Sequence, residues 1–394
     1  MKNYRRLGVI MKIGIVGNYG KANHGDEAIL EGMLVQLEEA FNLERKDILV
    51  FSANPIQTHK KFGVQSQRII ERRKTLPMKF LATLMHHKPV IEKLDLLLIG
   101  GGGILMDLYK AMPVRYSIYA WLAKIAKTPA VVYGTGAGPI STPMGKRLIK
   151  FIVDSTELTM VRDPKSEQLL HSIGVRTPVS VITDPAFFIP PPEKVVRNDG
   201  EFHIGVTTVA YYDKHYWPTE DKEKYENYVN GMAMNLDTIL EGNPNAVINF
   251  FSTKHPYDTD VSVDIKERMK YRERCTVALE EMNHMEIIEF ANKQDLVIGT
   301  RLHSLILSLV TETPIIAVAY HHKVQDFMDS VDCSNYVLPI EELHLRTDYF
   351  DVLVKEMNKD WERTLKEFSA LSQKIKNKER KGMDLIKQLN LPTK

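Results

Sequence analysis

Two residues with complementary chemistry stand two positions apart in the segment DLVIGTRLHSLILSLVTETPIIAVAY, residues 295–320. Arg301 is permanently charged and binds anions, whereas His303 titrates near neutral pH and can deliver a proton. The apolar run 295–299 predicts a buried strand, and apolar residues at helical spacing predict a helix that follows at once, with Thr300 as its N-cap. We therefore expect Arg301 and His303 in the first helical turn, beside unpaired N–H groups and the positive end of the helix dipole.

The elements around this pair form a strand–helix–strand unit. Pro314 ends the predicted helix, and Ile315 to Ala319 is a second buried strand. In open parallel sheets, ligands bind beyond the carboxyl ends of the strands, so this end is where we expect chemistry. From these residues alone, a structural alternative stays open, in which Arg301 caps a neighbouring helix and His303 is a hydrogen-bonded, half-buried histidine.

The bulk properties fit a two-domain globular protein. The chain has 394 residues, 44% hydrophobic and 26% charged, and its net charge of +2 gives no general attraction to nucleic acid or membrane. Cys275 and Cys333 are the only cysteines, so neither a disulfide framework nor a zinc motif is indicated, and a reducing, cytoplasmic location is expected. We interpret the first ten residues as an extension, and no run reaches the roughly 18 apolar residues that a transmembrane helix needs.

Glycine-rich segments follow several predicted strands of the first half. Lys12–Gly17 is the first strand, and the loop from Asn18 leads to a helix that begins near Gly25 and Asp26. The strand Leu94–Ile99 runs into four glycines, of which Gly101, Gly102 and Gly103 are expected to face a ligand, although tight strand–helix packing is the alternative. GTGAG follows another strand. None of these loops is a Walker A motif or a dinucleotide fingerprint, so a nucleotide-binding Rossmann enzyme is not indicated.

Further polar residues follow strands downstream. Arg162 follows the strand 158–161, with Asp163 as N-cap and Pro164 at the first helical position. Asp107 and Asp184 also stand near predicted strand ends.

Alternation of strands and helices predicts two α/β domains with mostly parallel sheets, facing each other across a cleft. We place the N-terminal domain at residues 1–188 and a proline-rich linker at 189–201. The C-terminal domain follows at 202–350, and the terminal helices 351–394 could pack back on the first domain.

The chain resembles the polysaccharide pyruvyl transferase family. The resemblance rests on segments in the family order, spread over residues 13–327. They are NYGKANHGDEAIL, DLLLIGGGGILMD, VRDPKSEQLL, TDPAF and, most specifically, DLVIGTRLHSLILSLVTETPIIAVAYHHKVQDF. It implies a Rossmann-like, GT-B-like fold and transfer of the enolpyruvyl carbons of phosphoenolpyruvate onto two sugar hydroxyls as a cyclic ketal. It also implies an N-terminal acceptor side and a C-terminal donor site.

The resemblance also implies roles for individual residues. Arg162 and Arg301 would hold the phosphate and carboxylate of phosphoenolpyruvate, and His303 would be the general acid. Lys323 matches a family lysine that meets donor or acceptor. The chain departs from the family pattern at His321, where Asp is frequent, and at His24, where a hydrophobic residue is frequent. These departures leave the donor site intact and bear on the identity of the acceptor.

This chemistry requires a proton donor and a base. His303 would protonate the methylene carbon, and we expect the bound trianionic donor to raise its pKa, against the effect of Arg301 and the helix dipole. Asp26, Asp107 and Asp184 are candidates for the general base, with capping and loop hydrogen bonds as their alternative roles. No cofactor and no metal is expected, since no Asp/Glu/His cluster at ligand spacing is visible.

Two features bear on the partners. Tyr211, Tyr212, Tyr216 and Trp217 could stack on a sugar or pack in the core. The basic cluster between Arg68 and Lys79 is either a solvated face or a contact with the inner membrane surface that would suit a lipid-linked acceptor.

Two rival functions remain open. One is a GT-B glycosyltransferase that uses a nucleotide-sugar, and the other is a non-catalytic glycan- or anion-binding protein. No nucleic-acid partner is indicated.

Overall fold

A computed structural model of the chain describes residues 11–21, 23–195, 197–213, 215, 217, 219–389 and 391. The expected N-terminal extension and Tyr216 lie outside these residues. The chain divides into two compact units, one formed by Met1–Ile189 with Lys376–Lys394 and the other by Pro190–Ile375. Among the described helices, none combines the length and the apolar character that crossing a bilayer would require.

The first unit contains a seven-stranded sheet in the order β3-β2-β1-β4-β5-β6-β7, with every neighbouring pair parallel. Its central strands are near-continuous apolar runs because helices cover both faces of a parallel sheet. The strands are β1 (Ile13–Val16), β2 (Ile48–Ser52), β3 (Gln65–Arg68), β4 (Leu96–Leu105), β5 (Ala130–Ala137), β6 (Leu158–Val161) and β7 (Val179–Val181).

Six helices connect these strands, and side-chain caps fix where several of them begin. The Asp163 carboxylate accepts the Ser166 N–H and Pro164 is the first helical residue, so the predicted start of that helix is confirmed. The helices are α1 (His24–Phe41), α2 (Pro55–Phe62), α3 (Leu76–Ile91), α4 (Ala111–Ala126), α5 (Pro143–Asp154) and α6 (Pro164–Ser172).

The glycine runs lie inside strands, and the prediction that they follow the strands was wrong. β4 continues through Gly100–Gly103 to Leu105. Its register with β5 shifts between Gly102 and Leu105. A Cβ on Gly100 would lie 1.9 Å from the Tyr133 carbonyl oxygen, so the neighbouring strand leaves no space for a side chain. Close backbone approach, which favours glycine, therefore outweighs its low strand propensity.

The second unit contains a six-stranded parallel sheet in the order β10-β9-β8-β11-β12-β13. The predicted strand–helix–strand unit is confirmed, since β11 and β12 pair in parallel with Val297 opposite Ile315. The strands are β8 (Phe202–Val206), β9 (Ala246–Phe250), β10 (Cys275–Val277), β11 (Leu296–Gly299), β12 (Ile315–Ala319) and β13 (Val337–Pro339).

Seven further helices lie in the described part of the chain after β8. The last of them belongs to the second unit as far as Ile375 and to the first unit from Lys376, and Gly382 packs against the Tyr133 ring of β5. The helices are α7 (Lys222–Gly242), α8 (Tyr257–Arg268), α9 (His284–Asn292), α10 (Leu302–Val310), α11 (His322–Ser330), α12 (Tyr349–Asn358) and α13 (Trp361–Gln388).

Candidate functional sites in the two units

Arg301 lies at the junction of β11 and α10 and is held by a buried carboxylate. Its Nε and Nη2 donate to Asp258 Oδ2 and Oδ1 at 2.9 and 2.6 Å. The Arg301 side chain is 13% exposed and that of Asp258 is 0% exposed. Nη1 lies 3.4 Å from the Tyr320 hydroxyl, and the guanidinium carbon lies 5.7 Å from the Tyr320 ring centre. The guanidinium is therefore fixed in one orientation at the carboxyl end of the sheet.

The start of α10 differs from the prediction. Arg301, not Thr300, is the N-cap residue, with φ −84° and ψ 132°. The Thr300 hydroxyl donates to the Thr207 carbonyl oxygen at 3.0 Å, and the Thr300 N–H donates to the Thr207 hydroxyl at 3.2 Å. Thr300 thus ties the end of β11 to the segment after β8, and its hydroxyl does not cap the helix.

The position of Arg301 depends on Asp258. The sequence pattern does not single out Asp258. Burial raises its pKa, while Arg301 and the Ala210 N–H lower it. The charge of Arg301 offsets part of the cost of burying this carboxylate, since an unpaired charge there would be strongly disfavoured. Asp258 sits in the first turn of α8, after β9, so a search for carboxylates beyond strand ends would have found it.

His303 is the second residue of α10 and is half-buried. Its position confirms the predicted placement of Arg301 and His303 at one helix N-terminus. The backbone N–H groups of this first turn point along the helix axis, and the dipole adds positive potential. An anion bound here would meet the helix terminus, whose N-cap residue is Arg301 and whose second residue is His303.

Lys323 and His321 lie at the next strand–helix junction, after β12. The His321 Nδ1 accepts the Lys323 N–H at 3.3 Å and caps α11. Burial, followed by the neighbouring His322 and Lys323, lowers the pKa of His321 to about 4, which keeps the ring neutral and able to accept. An Asp, another good N-cap, would fill the same capping role.

Aromatic side chains surround Tyr320 and the loop after β8. Tyr211 is core, since it is 5% exposed and donates to Glu341 at 2.8 Å. The rings of Tyr212 and Trp217 lie 5.3 Å apart at an angle of 31°, and Trp217 lies 6.2 Å from Tyr320. A cleft of about 540 Å³ opens beside Tyr212, and its wall also includes Tyr225, Tyr257, Asp213, Asp260 and Asp264.

In the first unit, Asp26 is the centre of a second polar cluster at the end of β1. Its Oδ2 accepts from the side-chain amides of Asn18 and Asn23, each at 2.8 Å. A Cβ on Gly102, whose φ is +69°, would lie 2.1 Å from Asp26 Oδ1. Gly25 is buried in the first turn of α1, where its N–H donates to Asn23 at 3.2 Å. The structure therefore brings together Asn18 from the loop after β1, Gly25 and Asp26 from the first turn of α1, and Gly102 from inside β4.

Burial raises the pKa of Asp26 to about 6, although the Asn18 hydrogen bond and the nearby Arg162 lower it. Lys21 also acts on Asp26, and burial together with Arg115 lowers the pKa of Lys21. Sequence patterns did not single out Lys21 or Arg115. A carboxyl group with a pKa near 6 can exchange protons close to neutral pH.

Arg162 is paired with Asp184. Its Nη1 donates to Asp184 Oδ2 at 2.8 Å, and both side chains are almost fully buried. Asp184 also accepts the Ala186 N–H at 3.1 Å and caps a short 3-10 turn. Gly136 leaves space for the guanidinium, because a Cβ there would lie 3.1 Å from Arg162 Nε.

The remaining predicted residues have clear packing partners. The Asp107 carboxylate accepts the N–H and hydroxyl groups of Ser141 and Thr142, the alternative role considered for it. Burial opposes ionisation, yet these bonds lower the pKa of Asp107. A Cβ on Gly101 would lie 2.3 Å from the Tyr19 hydroxyl, so packing accounts for glycine there. His24 is buried in α1, and its Nδ1 lies 3.4 Å from Glu27.

One group of three described side chains could hold a metal ion, namely Asp199, Glu201 and His203. The expectation that no metal is bound stays a prediction. The three residues alternate in sequence, with Asp199 and Glu201 before β8 and His203 inside it, and this is not a common metal-motif spacing. His203 Nε2 lies 3.1 Å from Asp199 and 3.3 Å from Glu201, so an ion pair accounts for the group. This group of three residues shares neither a sequence segment nor contacts with Arg301 and Arg162.

Comparison with solved structures shows the fold. A putative UDP-N-acetylglucosamine 2-epimerase from Listeria monocytogenes is similar with a TM-score of 0.63 at 13% identity, covering 95% of this chain and 94% of that one. HepE from Anabaena, solved with UDP and glucose, gives 0.61 at 12% identity, covering 96% and 100%. A glycosyltransferase from Rickettsia africae gives 0.60 at 12% identity, covering 96% of each chain. These similarities confirm the predicted GT-B-like fold with two Rossmann-like α/β domains.

Comparison of sequences shows the family. The amylovoran biosynthesis protein AmsJ from Erwinia amylovora is 22% identical over 379 residues, which cover 84% of this chain and 89% of AmsJ. The family model for polysaccharide pyruvyl transferase matches residues 23–322. Because that match spans Arg162, Arg301 and His303 and the greater part of both sheets that position them, this chain belongs to the polysaccharide pyruvyl transferase family.

Proposed function

We propose that this protein transfers the pyruvyl group of phosphoenolpyruvate onto a sugar as a cyclic ketal, in the synthesis of an exopolysaccharide. The observation that carries the proposal is Arg301, fixed by the buried Asp258 at the N-terminus of α10, with His303 two residues further on. The relation to AmsJ, a protein of amylovoran biosynthesis, supports a polysaccharide product.

Donor binding would use the second unit. Asp258 occupies the Nε and Nη2 edge of Arg301, so a phosphate or carboxylate would approach the Nη1 side, near Tyr320. The Arg301–Asp258 pair is close to neutral overall, and the same holds for Arg162 with Asp184. Anion affinity would therefore depend on oriented N–H donors and the α10 dipole more than on net charge.

The proposed reaction requires two additions to the same carbon. His303 gives its proton to the methylene carbon of phosphoenolpyruvate, and the C2 centre becomes oxocarbenium-like. A sugar hydroxyl forms a C–O bond to C2 and loses its proton to a base. The C2–O bond to phosphate then breaks, and phosphate leaves with the proton that the base took. A second hydroxyl closes the ketal, and its proton returns to His303. Such a placed acid contributes roughly 10²–10⁴-fold to the rate.

Among the three carboxylates considered as base, Asp26 fits best. Burial raises the pKa of Asp26 to about 6, whereas hydrogen bonds lower the pKa of Asp107 and an ion pair with Arg162 engages Asp184. We infer that Asp26 accepts the proton of an acceptor hydroxyl bound at the first unit. The acceptor would be a sugar of the polysaccharide or of its lipid-linked precursor, and no cofactor or metal is included in the proposal.

The test is incubation with phosphoenolpyruvate and a panel of glycan acceptors, with phosphate release and product mass followed together. The proposal predicts stoichiometric phosphate release and a product that carries one pyruvyl ketal. A hexose-sized gain from a nucleotide-sugar, with nucleotide release, would instead identify a glycosyltransferase. Binding of glycan or anion without turnover on any donor would identify a non-catalytic binding protein.

A further inference from the structure

Helix α3 exposes an apolar stripe in the first unit. Met78, Leu81 and Met85 recur at spacings of three and four residues, so they share one face of the helix, and they are between 50% and 65% exposed. The opposite face carries Thr83 and His87, both 0% exposed. The exposed stripe therefore has no packing role within the described unit.

Helix α4 exposes a matching stripe. Val114, Trp121 and Ile125 lie at spacings of seven and four residues and are between 39% and 43% exposed, while Tyr116 and Tyr119 on the opposite face are fully buried. Leu108 and Tyr109, just before the helix, are more than 60% exposed.

The two stripes point to the same side of the first unit. α3 and α4 pack against each other, and the Tyr119 hydroxyl of α4 lies 3.1 Å from His87 Nδ1 of α3. Both helices bury their inner faces in one hydrophobic cluster, which includes Ile91 from α3 and Tyr119 from α4. Their outer faces are therefore neighbours. We call this surface the α3–α4 face, defined by Met78, Leu81, Met85, Leu108, Tyr109, Val114, Trp121 and Ile125.

The charge around the α3–α4 face is mostly positive. Residues 72–91 and 108–153 contain twelve Lys and Arg and no Asp or Glu, in a chain with 52 basic and 50 acidic residues overall. Several of these cations are exposed around the apolar stripes, namely Arg72, Arg73, Lys74, Lys110, Lys124 and Lys127. The surface therefore combines large apolar side chains with a basic rim, which Glu71 and Glu92 border at the edges of α3.

We propose that the α3–α4 face docks on the surface of a membrane that contains anionic lipids. Exposed apolar residues with Trp and a Lys/Arg rim match the acyl boundary and the anionic headgroups of such a surface. Contiguous apolar patches of this kind are rare on soluble monomers unless something binds them. The inference stands apart from the proposed transferase activity, since it uses none of the residues assigned to donor or acceptor.

Vesicle co-sedimentation tests the proposal. The full chain should pellet with vesicles of phosphatidylcholine and phosphatidylglycerol, should stay in solution with phosphatidylcholine alone, and should be released by high salt. The variants Met78→Ser/Leu81→Ser/Met85→Ser and Arg72→Gln/Arg73→Gln/Lys74→Gln should each weaken binding at least tenfold.

Matched controls distinguish binding through the α3–α4 face from nonspecific binding by exposed apolar or basic side chains. Ile56→Ser/Leu279→Ser/Leu345→Ser removes three apolar side chains elsewhere that are 64–83% exposed, and Lys359→Gln/Lys366→Gln/Lys374→Gln removes three exposed cations elsewhere. Both controls should bind vesicles like the parent chain. Equal losses in controls and test variants, or no binding to anionic vesicles at all, would overturn the proposal.

The fluorescence of Trp121 reports how deeply the α3–α4 face enters the membrane. With brominated phosphatidylcholine in the anionic vesicles, tryptophan fluorescence should be quenched, and Trp121→Phe should abolish the quenching although Trp217 and Trp361 remain. Quenching that survives Trp121→Phe would place the membrane contact elsewhere. Self-association in solution that the Met78/Leu81/Met85 variant abolishes, without vesicle binding by the parent, would assign the face to a second copy of the chain instead.

Discussion

Arg301 and Asp258 form a bidentate pair in which the carboxylate is completely buried, with hydrogen bonds of 2.6 and 2.9 Å. The two residues stand 43 positions apart, and each lies at the start of a helix that follows a strand of the same sheet. Loss of Arg301 would therefore remove an anion-binding group and also leave a buried charge without its counter-ion.

The first prediction separates these two effects. Arg301→Ala should lower the free energy of unfolding by about 3 kcal/mol, because breaking a buried ion pair leaves the other charge uncompensated. Arg301→Ala/Asp258→Asn should recover most of that stability, since the neutral amide can still accept the Ala210 N–H. Phosphate release from phosphoenolpyruvate should stay lost in both variants. Urea unfolding and a phosphate assay are the measurements.

The single variant Asp258→Asn completes the comparison of Arg301→Ala with the double variant. It keeps Arg301 but replaces the carboxylate that orients it with a neutral amide, so we expect a raised KM for phosphoenolpyruvate and a lower free energy of unfolding, because Arg301 then lacks its counter-ion. Full recovery of turnover in the double variant would contradict the assignment of Arg301 to donor binding.

The second prediction concerns Asp26 and pH. Burial raises its pKa from an ordinary 3.8 to about 6, so between these values the folded chain holds a proton that the unfolded chain has lost. Stability therefore falls as pH rises from about 4 to 6, and the cost persists above 6. Asp26→Asn should remove this cost, raising stability by about 3 kcal/mol at pH 8 and about half of that at pH 5.

Catalytic activity should fall in Asp26→Asn while stability rises. If Asp26 accepts a proton from the acceptor, Asp26→Asn gives a more stable chain with little ketal formation, a trade-off common where a site needs a destabilised group. Denaturant unfolding at pH 5 and pH 8, with product analysis by mass spectrometry, measures both. A pH-independent change in stability would refute the raised pKa.

Sequence patterns predicted the sheets well where strands are long apolar runs, such as Leu96–Ile99 and Ile315–Ala319, because burial on both faces of a parallel sheet leaves little choice of residue. They misplaced the end of β4. Glycine usually weakens a strand, and only the neighbouring Tyr133 backbone, far away in sequence, explains why Gly100 continues it.

The site was predictable where its chemistry is local. Arg301 and His303 lie two residues apart on one helix start, so their spacing alone places them together. Asp258 was missed because its pairing with Arg301 is made across the sheet. The Thr300 hydroxyl could hydrogen-bond either to the α10 backbone or to Thr207. Only the structure shows that it bonds to Thr207.

The third prediction tests why Gly102 is a glycine. Its φ is +69°, and a Cβ would lie 2.1 Å from Asp26 Oδ1. Gly174 has a φ of +83° with nothing within 4 Å of a Cβ, so Gly174→Ala measures the backbone cost alone, about 1 kcal/mol. Gly102→Ala should cost clearly more and should reduce turnover, because Asp26 must move. Equal costs in thermal unfolding for the two variants would show that contact with Asp26 is not limiting.

The fourth prediction assigns the proton donor. His303→Gln keeps a polar side chain at the start of α10 but cannot deliver a proton, so kcat should fall by roughly 10²–10⁴-fold while phosphoenolpyruvate still binds. The matched control is His321→Asn, at the N-cap of α11, because Asn also caps well and turnover should change little. Calorimetric binding of phosphoenolpyruvate and single-turnover phosphate release separate binding from chemistry. Loss of donor affinity in His303→Gln with an unchanged single-turnover rate would make His303 a binding residue and require another acid for the methylene carbon.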